Sequence, residues 1–222
     1  MNILKIQCNS SNFTKNRPSK IQYLVIHYTA NNGDTAKGNC NYFKTGNRGA
    51  SAHYFVDEND ICQSVSDNDV AWHCGTKGSY KHKYCRNNNS IGIELCSEKD
   101  NKGNYYFTNQ TINNAIELTK YLMKKYSIPV ENVVRHYDVT GKVCPQPFVN
   151  NDVAWNNFKR RLLNMENSCK VVTRGYKYGN KIISTNVINK NGENYIRIRD
   201  LAELMSKNVL YDNKTKLTEI LD

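Results

Sequence analysis

His27, His136 and Cys144 are the side chains of this 222-residue chain best suited to hold a catalytic metal. Two imidazoles and a thiolate make a three-ligand set for Zn2+, and a zinc that does chemistry keeps three protein ligands and leaves its fourth tetrahedral position to water. His27 ends the apolar run Tyr23-Leu24-Val25-Ile26, whereas His136 and Cys144 share the segment Arg135-His136-Tyr137-Asp138-Val139-Thr140-Gly141-Lys142-Val143-Cys144-Pro145, with seven residues between them. That interval is long enough for a loop that folds back, but it is not diagnostic. Taken singly, each residue reads better as a core histidine or an inert buried cysteine than as a ligand. Glu94 adds a carboxylate inside the apolar run Ile91-Gly92-Ile93-Glu94-Leu95, where burial is costly without a partner.

These residues need elements to hold them. The runs Tyr23 to Ile26, Ala52 to Val56 and Ile91 to Leu95 read as buried strands. A short helix is expected from about Thr35 to Phe43, followed by a turn at Gly46-Asn47-Arg48-Gly49. Ile112, Ala115, Ile116, Thr119, Leu122, Met123 and Tyr126 recur at the spacing of one helical face, with Thr108 as N-cap and an end before Pro129. Val133-Val134 reads as a short strand, and a last helix after Pro145 and Pro147 carries Trp155, Phe158, Leu162 and Leu163. Strands alternating with helices predict an α/β domain, a mixed central β-sheet flanked by helices, over residues 1–165. The polar stretch from Asn164 to Ser168 reads as a linker. Beyond it, residues 166–222 predict a small β-hairpin plus helix module. Thr185 to Asn189 and Tyr195 to Ile198 flank Asn191-Gly192, and Asp200 with Glu203 resembles a capping box opening the helix Leu201 to Met205.

Composition narrows the partners. A formal charge of +11 favours nucleic acid, anionic lipid or an anionic wall polymer. The basic residues are scattered, with neither zinc fingers nor an aromatic-basic RNA signature, so nucleic acid is not the expected partner. No run approaches the roughly eighteen apolar residues of a membrane span, and membrane insertion is not expected. The start, Met1-Asn2-Ile3-Leu4-Lys5-Ile6-Gln7, has no export-signal core, so synthesis in the cytoplasm is expected. Eight cysteines without CxxC pairs read mostly as small buried thiols.

Five segments, in order, carry a resemblance over roughly residues 18–162: Val25-Ile26-His27-Tyr28-Thr29, Ser51-Ala52-His53-Tyr54-Phe55-Val56, Ala71-Trp72-His73-Cys74-Gly75, Asn89-Ser90-Ile91-Gly92-Ile93-Glu94-Leu95, and Arg135 through Pro145. This pattern resembles the type 2 N-acetylmuramoyl-L-alanine amidases, a group that includes many phage endolysins and is similar to the peptidoglycan recognition proteins. The resemblance implies Zn2+ on His27, His136 and Cys144, a carboxylate base at Glu94 and an oxyanion-facing Lys142. Some relatives use a tyrosine at the position of Ala52 instead of the glutamate, and the alanine here leaves Glu94 as the base. The substrate implied is bacterial peptidoglycan, cut between N-acetylmuramic acid and L-alanine.

Weaker expectations attach to other residues. Trp72 and His73 are candidates for the wall of the groove, although Trp72 reads equally as core, and Asn89 for a hydrogen bond to the stem peptide or for a turn. His53 reads as a packing residue or one supporting a ligand from behind, and His82 as part of a solvated loop. The last module resembles small wall-associated domains, with a homodimer through that module as the alternative. An endolysin lacking an export signal would reach the wall after holin-type release. The competing functions are a non-catalytic peptidoglycan-binding protein and a cytoplasmic amidase that recycles muropeptides.

Overall fold

The apolar runs assemble side by side in a computed structural model that describes residues 2–76, 78–163, 170–190, 193–211 and 218–221. The chain divides into two compact units, Met1–Asn164 and Met165–Asp222. In the first unit the elements follow as β1 (Leu4–Lys5), β2 (Phe13–Thr14), β3 (Tyr23–Tyr28), α1 (Ala36–Lys44), β4 (Tyr54–Val56), β5 (Ile61–Gln63), β6 (Val70–Ala71), β7 (Ser90–Leu95), β8 (Glu98–Lys99), β9 (Tyr105–Tyr106), α2 (Asn109–Tyr126), β10 (Val133–Arg135), α3 (His136–Thr140), α4 (Gln146–Val149) and α5 (Asp152–Leu162). Six strands form a mixed sheet in the order β1-β5-β4-β7-β3-β10. β3 runs parallel to both β7 and β10, and only the β4–β5 pair is antiparallel.

Side chains alternate across a strand, so β3 and β7 each serve two faces. Leu24, Ile26, Ile91, Ile93 and Leu95 pack with Leu118 and Leu122 of α2 and Phe158 of α5 in the main core. The alternate residues Val25, His27, Gly92 and Glu94 point the other way, and the parallel register sets Val25 beside Gly92 and His27 beside Glu94. One face therefore stabilises the sheet while the opposite face carries the polar groups.

The helices start where their caps predict. Thr35 Oγ1 accepts from Gly38 N–H at 3.0 Å, and Thr108 Oγ1 accepts from Thr111 N–H at 3.1 Å. α2 ends at Ser127, whose φ of 54° breaks the helix before Pro129. The expected last helix is two pieces, α4 and α5, because Asn151 caps a new start by accepting from Ala154 N–H at 3.0 Å. His136 to Thr140, expected in a loop, forms the short helix α3.

The second unit contains β11 (Lys170–Tyr178), β12 (Lys181–Lys190), β13 (Glu193–Tyr195), α6 (Ile198–Leu204), β14 (Asn208–Tyr211) and β15 (Thr218–Leu221). The first expected hairpin strand lies within β12, but the second, expected at Tyr195 to Ile198, is β13 at Glu193–Tyr195, and Ile198 already opens α6; their register closes on Lys190 and Glu193, and the turn Asn191-Gly192 lies outside the described residues, as does the expected linker. A longer hairpin lies beside it: β11 pairs with β12 around Gly179, which adopts φ 58°. Asp200 is not the cap of α6. The helix starts at Ile198, and the Asp200 carboxylate accepts from Arg197 Nε at 3.0 Å and from the Thr185 hydroxyl. An acid in the first turn faces the positive end of the helix dipole. Among the described residues, no helix is long and apolar enough to cross a membrane.

Candidate metal centre

His27 lies near the carboxyl end of β3, and β10 brings Arg135 level with Ile26 on the neighbouring strand. The next residue, His136, therefore emerges beside His27. Asp138 fixes the turn that follows, its carboxylate accepting from the Arg135 backbone N–H at 2.8 Å and from the Arg135 guanidinium at 2.9 Å. The same guanidinium donates to the Phe148 carbonyl at 3.0 Å, tying α3 to α4. The chain then reverses at Gly141, whose φ of 84° suits glycine and where a Cβ would lie 2.7 Å from Lys81 Cε. Tyr137 N–H donates to the Cys144 carbonyl at 2.8 Å and holds the returning strand against α3.

The result is that His27, more than a hundred positions from the pair His136 and Cys144, offers a donor atom within 4.8 Å of theirs, all three residues being buried. His27 Nδ1 stands 3.7 Å from Cys144 Sγ and 3.9 Å from Glu94 Oε1, and the His27 and His136 rings are 4.6 Å apart. Donors on one tetrahedral zinc are about 3.5 Å apart given bond lengths of about 2.0–2.3 Å. Both ring nitrogens of His136 and Oε2 of Glu94 are buried without a hydrogen-bond partner. Such orphaned groups cost about 1–3 kcal/mol each in a folded protein, and a cation here would take the lone pair of one His136 nitrogen. The residues present thus fit a zinc ion.

Burial drives each of these groups toward its neutral form. It lowers His27 well below the usual imidazole range, with His136 and His73 adding to the effect, and lowers His136 to about 4 with help from Lys142. It lifts the Cys144 thiol to about 12 and Glu94 to about 8, the latter against the pull of Lys142. Neutral imidazoles are the form that ligates metal, and a divalent cation replaces the thiol proton.

A cavity of about 640 Å³ opens on this centre, lined among others by Glu94, Lys142, Trp72, Asn39 and Tyr42. Glu94 is one-fifth exposed at its base, while Lys142 is exposed. Trp72 is half-buried, and its indole N–H donates to Thr14 Oγ1 at 3.0 Å. His73 also borders the cavity, but both of its ring nitrogens are engaged inside the protein, with His27 and with Ser90. Asn89 is not among the lining residues. Its side chain accepts from Arg86 N–H at 2.7 Å and donates to the Tyr84 carbonyl, bracing the turn before β7. His53 is fully buried, with Nδ1 accepting from Gly92 N–H at 3.0 Å. His82 lies half-buried in an irregular loop whose neighbours Lys81, Lys83 and Tyr84 are exposed, as expected; its Nδ1 accepts from Tyr84 and Cys85 N–H and its ring packs edge-on against Tyr23, so it also organises that loop. Asn39, Tyr42 and Phe43 were not anticipated as lining residues; their spacing on one face of α1 was the available signal. The described cysteines are all buried and free.

The fold that holds these donors is shared with solved catalytic domains of endolysins. The chain superposes on the structure of PlyL with a TM-score of 0.59 at 29% identity, over 73% of this chain and 97% of that one. It superposes equally on the catalytic domain of XlyA, TM-score 0.59 at 30% identity, over 73% and 99%. In sequence it is 33% identical over 150 residues to the N-acetylmuramoyl-L-alanine amidase CwlL of Bacillus licheniformis, covering 64% of this chain and 41% of CwlL. To the amidase XlyA of Bacillus subtilis strain 168 it is 35% identical over 140 residues, covering 62% and 42%. The chain thus spans less than half the length of these full relatives. The N-acetylmuramoyl-L-alanine amidase family model matches residues 17–147. This chain belongs to that family.

Proposed function

We propose that the first unit is a zinc-dependent peptidoglycan hydrolase that cleaves the amide between the lactyl group of N-acetylmuramic acid and the L-alanine of the stem peptide. The observation that carries the reading is the convergence of His27, His136 and Cys144 beside a buried carboxylate with an unpartnered oxygen, at the floor of an open cavity. Family membership supports the same bond.

Bound zinc supplies Lewis acidity, acidifying water and polarising a carbonyl. Glu94 takes the proton of the attacking water and returns it to the departing amine. Burial lifts its proton affinity, to about 8 without a metal ion, which suits the return of the proton, while a dication beside it would draw it back toward the carboxylate that accepts one. Lys142 at the cavity edge places a positive charge where the amide oxygen becomes negative. The amide C–N bond breaks, leaving a carboxylate on the sugar and a free amino group on L-alanine. Trp72 and Tyr42 offer aromatic walls for sugar or peptide.

The wall is the place of action in this reading, with phage-type endolysin as its biological setting. The second unit serves as a wall tether that raises the local concentration of substrate. Light scattering of the full chain tests this assignment against dimerisation, a dimer whose formation is independent of wall fragments being the contrary result. For the reaction, purified walls digested by the protein are analysed by mass spectrometry. The expected products are glycan strands with free lactyl carboxylates and peptides beginning with free L-alanine. New reducing sugar ends, or cuts within the peptide, refute the assignment.

A further inference from the structure

Behind the metal centre, His27 Nε2 lies 3.0 Å from His73 Nδ1, and His73 Nε2 lies 3.1 Å from Ser90 Oγ. The direction of this chain is set at its far end. Ser90 Oγ donates to the Arg86 carbonyl at 2.6 Å, which uses the only hydrogen a serine hydroxyl has. Ser90 must then accept from His73, so His73 carries its proton on Nε2 and leaves Nδ1 bare. A neutral imidazole has one N–H, and the bare Nδ1 accepts from His27 Nε2–H. His27 is thereby left with its free lone pair on Nδ1, the atom that faces Cys144 and Glu94.

The surroundings hold the middle ring in place. His73 N–H and Cys74 N–H both donate to Asn87 Oδ1, at 3.1 and 2.8 Å. The ring lies flat on Gly92, where a Cβ would stand 2.5 Å from His73 Cγ. Gly92 keeps an ordinary backbone conformation, so the need for glycine there is clearance for this ring. Its own N–H and carbonyl are both engaged by His53, at 3.0 and 3.1 Å, which fixes the surface on which the ring rests.

We propose that His73, Ser90 and the Arg86 carbonyl form an ordered hydrogen-bond relay that locks His27 in its Nε2–H tautomer and aims Nδ1 at the metal position. His73 is then a positioning residue, acting through His27 and not on the substrate. The relay rests on the zinc reading only for the recipient of the lone pair; the tautomer itself is a property of the protein alone. Partners that orient a ligating histidine in this way contribute about 10–100-fold to metal affinity.

The test uses the full chain labelled with 15N histidine. Long-range 15N–1H correlation spectra of the metal-free protein are expected to show His27 and His73 each protonated on Nε2, and zinc affinity follows from competition with a chelator. His73→Leu, which removes the acceptor, is expected to abolish the single tautomer of His27 and weaken zinc about 10–100-fold. His73→Asn retains an oxygen acceptor near the place of Nδ1 and is expected to recover most of the loss. Gly92→Ala displaces the ring and is expected to weaken zinc in the same direction. A His27 protonated on Nδ1 in the wild type overturns the relay, as does an unchanged zinc affinity in His73→Leu. The wild-type spectrum decides even if that variant does not fold. A protein that shows the ordered tautomers but binds no zinc refutes the metal reading and leaves the relay standing.

Discussion

Glu94 and Lys142 flank the same buried donors, a carboxyl group and an amine, and their substitutions separate chemistry from metal binding. Glu94→Gln keeps the shape and removes the base. It is expected to retain zinc while losing about 10²–10⁴-fold in turnover, read by dye release from walls together with metal content; full activity in a zinc-loaded variant contradicts its role. Lys142→Met is expected to lower kcat about 10²–10³-fold with little change in KM, the signature of a charge that acts on the transition state. At this scale much was legible, because the three ligand types and the carboxylate fall in short motifs. What the motifs did not reveal was how the remaining polar residues are used. His73 reads as a groove residue in sequence, yet its partners His27 and Ser90 come from two strands that lie forty-six and seventeen positions away. Asn89 differs, since it braces its own turn through near neighbours in sequence, Arg86 N–H and the Tyr84 carbonyl, as one of its two readings expects.

The elements explain why the ligands converge. β3, β7 and α2 were readable because their apolar periodicity extends over six or more residues and is backed by caps such as Thr108. β1 and β5, at two and three residues, and the five-residue α3 are too short to leave a periodic pattern. β11 leaves no clear strand pattern in the sequence because its polar residues, Thr173, Arg174 and Lys177 among them, dilute the alternation of a strand. Sheet order is also beyond local pattern, and it is the parallel register of β3 with β7 and β10 that sets His27 beside Glu94 and near His136. The α3 turn depends on the clamp between Arg135 and Asp138. Asp138→Ala removes acceptors from both the Arg135 backbone and its guanidinium. It is expected to weaken zinc, measured by chelator competition, more than it lowers the thermal midpoint of the metal-free protein. The reverse pattern contradicts the view that this clamp serves the site.

At the scale of the molecule, a group of neutral histidines buried in one unit makes stability depend on pH. His53 is held near 3 in the fold by burial and by Arg17, against an ordinary value of 6.5. Below that ordinary value the unfolded chain takes up a proton that the fold refuses, so this contribution to stability is intact above about pH 6.5 and declines as the pH falls toward about 3. Denaturant midpoints measured between pH 7 and pH 4, brackets chosen to span about the histidine range, are expected to fall steadily; a flat profile for metal-free protein contradicts neutral burial. The central claim is that two imidazoles and one thiolate share a single zinc that keeps an open position. X-ray absorption at the zinc edge of the reconstituted protein tests it most directly. The account predicts one sulfur at about 2.3 Å, two imidazole nitrogens at about 2.0 Å and one further light atom from solvent. A shell without sulfur, or one closed by four protein donors, contradicts it.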